Sequence, residues 1–244
     1  MADDASRDGA RYGNQDIHQI LEMIYGDPGP AFDDALDTLE RFEMPRIQVS
    51  ANDGRILKLL MRLAGARKVV EFGTLSGYSA LWLLAGIGPK GHLWTLELEQ
   101  AHADAAGGVF QRAGVADQVT QLTGDGRTHL NRLAQDGPFD AVFLDADKEG
   151  YATYAGWALD NLRPGGLLLA DNAYLFGLLA DDGEEHAEAR ASVLATHRGR
   201  RQPWLRRLAR KARWADSTMG AGKPLPWASR RKAAVMARGT PSAP

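Results

Sequence analysis

From residue 68 the chain alternates short apolar runs with segments of helical period, five times in succession. KVVEFG precedes YSALWLLAGI, HLWTLEL precedes QAHADAAGGVFQRAG, and VTQLTG precedes GRTHLNRLA. FDAVFLD then precedes YATYAGWALDNL, and LLLADN precedes EEHAEARASVLATH. Strands separated by helices pair parallel, and the helices cover both faces of the sheet. The unbroken runs VFL and LLLA fit strands buried on both sides, because a half-exposed strand would alternate. The expectation is a doubly wound α/β sheet.

Ahead of this series, DIHQILEMIY and PAFDDALDTLERFEM read as helices. Ser50 with Asp53 forms a capping-box-like start for ANDGRILKLLMRLAG, whose Ile56, Leu57, Leu60 and Leu63 share one face. The chain is therefore expected to comprise an N-terminal helical segment over 1–49, a core over 50–199 and a tail over 200–244. With 244 residues, 44% hydrophobic and 25% charged, it has the make-up of an ordinary globular protein. The absence of cysteine excludes disulfides, zinc–thiolate centres and thiol nucleophiles. The polar start MADDASRDGARYGNQD and the lack of any apolar stretch near about 20 residues point to the cytoplasm, with no membrane partner.

The net charge of −2 hides an asymmetry. Residues 1–185 carry 29 acidic and 15 basic side chains, whereas 186–244 carry 2 acidic and 14 basic. Such a tail can bind nucleic acid. A solvated basic helix with a loose end is the plainer reading and the preferred one.

In doubly wound sheets ligands lie outside the carboxyl ends of the strands. Here those ends carry Glu71 and Gly73, Glu97, Gly124 and Asp125, Asp145 and Asp147, then Asp171 and Asn172. Acids gathered on one rim repel one another unless a cation or a hydroxyl-rich ligand sits among them. EFGTLSGYS (71–79) is a glycine-bearing strand-to-helix turn, and Glu97 follows Gly77 by 20 residues, the spacing of a ribose-binding acid. The dinucleotide fingerprint fails because Glu71 occupies the place of its first glycine, and a pyrophosphate would not tolerate that carboxylate. S-adenosylmethionine, with a ribose and a sulfonium but no phosphate, suits the acidic turn.

At the other end, Asp145, Asp171 and Asn172 offer three oxygen ligands from neighbouring strand tips, a set suited to Mg²⁺, then Mn²⁺ or Ca²⁺. An Asx-type turn is the bland alternative for the DN pair. Lys148, three residues past Asp145, would act as a base toward a phenol beside such a cation. No serine- or cysteine-based nucleophile motif competes with this reading.

Residues 44–172 resemble the cation-dependent class I O-methyltransferases of the catechol and caffeoyl-coenzyme A type. The matching text is MPRIQVSANDG, VVEFGTLSGYSA, the acid of LWTLEL, DADKEGYATY and RPGGLLLADN. The resemblance implies a Rossmann-like, seven-stranded, mostly parallel sheet with added N-terminal helices, a homodimer, and a small catechol-like acceptor. It implies that Glu71, Gly73, Thr74 and Ser79 hold the methionine part of the cofactor and that Val49 covers it. Glu97 would bind the ribose, Asp125 and Gly126 would flank the adenine, and Asp147 would meet the amino group. Asp145, on both the cofactor and the metal side, would ligate the ion with Asp171 and Asn172, and Lys148 would be the general base. Phe176 stands where the plant enzymes often have a polar residue, which favours a small or apolar aromatic over a coenzyme A ester.

Family members finish with two strands in an antiparallel hairpin. Residues 200–244 show no clear alternating pair, KAAVMARG being the one candidate, and they carry Trp204, Trp214 and Trp227 among basic residues and prolines. The tail is expected to be a lineage-specific replacement or the product of a reading-frame shift. Two alternatives stand beside the methyltransferase: a nicotinamide-dependent oxidoreductase on the same architecture, and a nucleic-acid methyltransferase using the basic tail.

Overall fold

The computed structural model of the chain describes residues 15–173, 175, 179, 184 and 186–197. Three helices come first: α1 (Gln15–Tyr25), α2 (Pro30–Arg41) and α3 (Ala51–Leu63). The alternating series follows as β1 (Lys68–Phe72), α4 (Tyr78–Ile87), β2 (His92–Glu97), α5 (Gln100–Arg112), β3 (Val119–Thr123) and α6 (Gly126–Leu133). It continues with β4 (Phe139–Leu144), α7 (Tyr151–Asn161), β5 (Leu162–Ala170) and α8 (Ala187–His197). The sheet runs β3-β2-β1-β4-β5 and every neighbouring pair is parallel.

Successive residues of β1 serve opposite faces, as the pleat requires. Val69 joins Leu57, Met61, Leu83, Phe110 and Phe143 in a core between the sheet and helices α3, α4 and α5. Val70 and Phe72 join Leu144, Tyr151, Tyr154 and Leu159 in a second core on the opposite face. Helices on both faces bear out the doubly wound reading. The chain leaves β1 toward β2 and β3, then returns to β1's other side with β4, so the switch point lies between β1 and β4.

Ser50 caps α3 through its hydroxyl, which accepts the Asp53 N–H at 3.1 Å. The expected reciprocal arm differs: the Asp53 carboxylate takes the Ser50 hydroxyl at 2.7 Å. β5 also starts earlier than LLLA, because Leu162 already pairs with Phe139 and the register then shifts before Ala141. The described residues contain five strands, and the hairpin question, with 200–244 and Phe176, lies outside them. Among the described residues no helix is long and apolar enough to cross a membrane.

Candidate active site

Backbone ladders carry the strand tips to a common rim. Gly73 N–H donates to Leu96 O, Gly124 N–H to Glu97 O, Asp145 N–H to Phe72 O and Asp171 N–H to Leu144 O, at 2.8–2.9 Å. Beyond the rim opens a cavity of about 1020 Å³ lined by Val49, Gly73, Thr74, Ser79, Glu97, Asp125, Gly126, Asp145, Asp147, Lys148, Asp171 and Asn172. Of the residues expected to hold cofactor or cation or to act as the base, the lining brings together all but Glu71.

Glu71 lies one layer lower. It is fully buried, and its two oxygens accept the hydroxyls of Ser79 at 2.6 Å and Thr95 at 2.7 Å. Thr95 in turn shares a 2.6 Å hydrogen bond with Thr74. Burial pushes the Glu71 carboxyl up to about 8, against the pull of the two hydroxyls, with Asp145 and Glu97 adding to the rise. The strand pairing explains the contact, since Glu71 and Thr95 are direct partners between β1 and β2.

Gly73 could be nothing else. At φ +99° an added Cβ would stand 2.0 Å from the backbone oxygen of Asp145. The next residues are pinned by Glu97, one of whose oxygens accepts both the Thr74 N–H (3.2 Å) and the Leu75 N–H (2.8 Å). Leu75 sits at φ +50°, a conformation costly for a leucine and retained where neighbours enforce it. The other Glu97 oxygen accepts the Glu99 N–H at 3.1 Å and faces His102 at 3.6 Å.

Asp125 caps α6 and holds the Arg127 side chain at 2.9 Å and 3.1 Å. Those bonds from Arg127 draw the Asp125 carboxyl below the usual range. Arg127 also reaches Asp147 at 3.6 Å. Asp147 accepts the Tyr154 hydroxyl at 2.8 Å, and Tyr154 stacks on Phe72 at 4.4 Å. Gly126 leaves room for both rings, because a Cβ there would meet them at 3.2–3.3 Å.

At the far end, Asp145 and Asp171 leave adjacent parallel strands in register, Leu144 opposite Ala170. Burial and then the neighbouring Asp171 push the Asp145 carboxyl up to about 6. Asp171 is raised by burial, with Asp53 adding and the Asn172 and Lys148 contacts opposing. Asn172 adopts φ +47°, which asparagine tolerates better than most residues. Lys148 Nζ stands 3.5 Å from Asp145 and donates to the Tyr151 hydroxyl at 2.7 Å. That hydroxyl lies 3.0 Å from Leu144 O and 2.9 Å from Asp171 O. Burial, then Asp145 and Asp171, hold the Tyr151 proton firmly, so it stays a neutral phenol.

The donor chemistry fits a hard cation: two half-buried carboxyls on adjoining tips, an amide beside them, and the Lys148 amine nearby. Among the described residues no group of three or more acidic, histidine or cysteine side chains is arranged to hold a metal, and the residue beside Asp171 in the cavity lining is the amide Asn172. The cavity also fits a cationic nucleoside. Its lining has seven carboxylates against Arg46, Arg127 and Lys148, and such an imbalance attracts positive charge.

Sequence reasoning missed Thr95, Tyr151, Tyr154 and Arg127. Thr95 had a signal, a lone hydroxyl inside the apolar strand LWTLE. The tyrosines lie three apart on α7, both turned toward the turn after β4, which requires knowing where α7 docks. Arg127 directly follows the glycine of the cap and reads as a surface residue.

The family model described as O-methyltransferase matches residues 33–210. Catechol O-methyltransferase of Mycobacterium tuberculosis is 41% identical over 180 residues, covering 73% of this chain and 81% of that protein. The cofactor-bound crystal structure of Rv0187 from MTB superposes with a TM-score of 0.72 at 39% identity, covering 77% of this chain and 85% of that one. TomG from Streptomyces achromogenes, an O-methyltransferase of tomaymycin synthesis solved with SAM, gives 0.71 at 34% identity, covering 77% and 84%. This similarity sets aside the oxidoreductase alternative. The chain belongs to the O-methyltransferase family.

Proposed function

We propose that the protein transfers a methyl group from S-adenosylmethionine to one hydroxyl of a small catechol-like aromatic, with the help of a divalent cation. The observation that carries this reading is the juxtaposition of Asp145, Asp171 and Lys148 at one end of a cavity whose other end presents Glu97 and Asp125. The catechol O-methyltransferase name of the Mycobacterium tuberculosis relative supports the acceptor class.

Glu97 takes the ribose hydroxyls, Gly126 and Asp125 border the adenine, and Val49, Gly73, Thr74 and Ser79 surround the methionine part, with Glu71 behind them. Asp147, steadied by Tyr154, receives the amino group. S-adenosylmethionine supplies the methyl as a sulfonium substituent. Asp145, Asp171 and Asn172 would hold the cation (Mg²⁺ before Mn²⁺ or Ca²⁺), which supplies Lewis-acid polarisation of two adjacent oxygens. Lys148 accepts the hydroxyl proton, and Tyr151 keeps the amine aimed at that oxygen. With the oxyanion held in line at close approach, transfer needs no covalent enzyme intermediate. The N-terminal helices would form the homodimer contact.

The test is calorimetric titration with S-adenosylhomocysteine, then a screen of ortho-dihydroxy aromatics with Mg²⁺ or EDTA. Methylation is expected with Mg²⁺ and lost with EDTA. Asp145→Ala should lower turnover by more than about 100-fold while S-adenosylhomocysteine still binds. Unchanged turnover in that variant removes the cation from the mechanism.

A further inference from the structure

Glu71 is a carboxyl in an unusual setting. It is fully buried, and among the described residues no basic side chain pairs with it. What faces it is known from each packed element: the Ser79 hydroxyl from α4, the Thr95 hydroxyl from β2, and the Glu97 and Asp145 carboxyls from the tips of β2 and β4. Ionised, it would be an uncompensated buried charge among two more acids, which is costly. Both partners are hydroxyls, which can donate or accept according to need. The bonds Glu71–Thr95 at 2.7 Å and Thr95–Thr74 at 2.6 Å form a relay ending at a cavity-lining residue. The bond to Ser79 at 2.6 Å is a second, shorter way out.

The wall between Glu71 and the cavity is therefore one hydroxyl thick. A cation at hydrogen-bond distance from Ser79 would stand roughly 5–6 Å from the carboxyl. An opposite charge within about 4–6 Å lowers a carboxyl's pKa by roughly 1–3, and the starting value here is about 8. The two forms of the cofactor differ by one such charge, because the sulfonium becomes a neutral thioether once the methyl has left.

We propose that Glu71 is a proton store matched to the cofactor's charge: protonated in the empty enzyme, ionised when S-adenosylmethionine enters, and reprotonated when S-adenosylhomocysteine has formed. This rests on the function proposed above and adds a residue that discriminates donor from product. In the transfer the S–CH₃ bond breaks with its electron pair left on sulfur, and the acceptor oxyanion's pair forms the O–CH₃ bond. The acceptor's proton leaves through Lys148. Glu71 takes up one solvent proton at the product stage and gives it back on donor binding, so its own net change over a cycle is zero.

The test is calorimetry of the full chain near pH 7 in buffers of different ionisation enthalpy, which counts protons exchanged on binding. The wild type should release roughly 0.4–0.9 of a proton more with S-adenosylmethionine than with S-adenosylhomocysteine, the fraction that a lowering of about 1–3 gives at pH 7. In Glu71→Gln that excess should vanish, and because the ligands' own amino groups titrate alike in both proteins, the comparison isolates Glu71. Infrared difference spectroscopy of the wild type supplies a readout that needs no variant: the C=O band of a protonated carboxylic acid should disappear with the donor and persist with the product. Equal proton release with both ligands, an excess that survives in Glu71→Gln, or a band unchanged by the donor overturns the proton store and leaves the methyl transfer standing. Failure of both ligands to bind overturns the methyl transfer itself, and the store with it.

Discussion

At the scale of single residues, the site depends on groups that never touch the reaction. Tyr151 is the clearest. Its hydroxyl accepts from Lys148 and lies within reach of the Leu144 and Asp171 carbonyls, so it ties the proposed base to the tips of β4 and β5. Tyr151→Phe leaves the ring in place and removes the tie. The expected loss is roughly 10- to 100-fold in kcat, the scale of a small misplacement at a reacting centre, with KM for the donor unchanged. Unfolding free energy should drop by about 1–3 kcal/mol for the buried carbonyls left short of a donor. Steady-state kinetics with denaturant melts reads both, and an unaltered kcat would make the tie merely structural. Charged residues at the strand ends, Asp145, Lys148 and Asp171 among them, were legible in the sequence because charge at the end of an apolar run is conspicuous. Tyr151 was not, because a tyrosine on a helix reads as core, and here it is core as well, fully buried.

At the scale of elements, the sequence yielded the order of strands and helices because each has its own period, and Ser50 announced the start of α3. The early start of β5 escaped it, since Arg163-Pro164-Gly165-Gly166 reads as a breaker, yet pairing with β4 begins at Leu162 and spans it with a shift of register. The depth of Glu71 escaped it too, for periodicity does not say where a strand stops being covered. What no pattern could give is the closeness of the tips of β1 and β4 at the switch point, where the backbone of Gly73 lies against Asp145. Gly73→Ala tests that contact. The new methyl would meet the Asp145 carbonyl oxygen at 2.0 Å while forcing alanine to φ +99°. Strain and overpacking together should cost roughly 2–5 kcal/mol. Because the collision falls on the tip proposed to hold the cation as well as on the turn proposed to hold the cofactor, binding of S-adenosylhomocysteine and Mg²⁺-dependent turnover should fall together. Calorimetry that found one intact without the other would separate the two tips.

At the scale of the whole molecule, the face of α1 remains to be explained. Ile20, Met23, Ile24 and Tyr25 stand exposed on a helix of 11 residues, a length at which isolated helices are marginal in water. Its anchors to the body include Arg55, which sits over the Tyr25 ring at 5.6 Å and donates to the Gly26 carbonyl. Exposed apolar side chains gathered on one element mark a surface for association, and the proposed homodimer would bury them against a second copy. Sedimentation equilibrium at micromolar concentration should then give a mass twice the 26.5 kDa of one chain. Replacing Ile20 and Ile24 together by lysine should shift it toward one chain, since two buried charges without partners outweigh the apolar gain. None of the described cavity-lining residues belongs to α1, so the variant should still bind S-adenosylhomocysteine. A wild-type mass of one chain removes the dimer and leaves the site as it stands. Loss of cofactor binding together with the dimer would mean that the cavity draws on the second copy, and the two scales would no longer be separable.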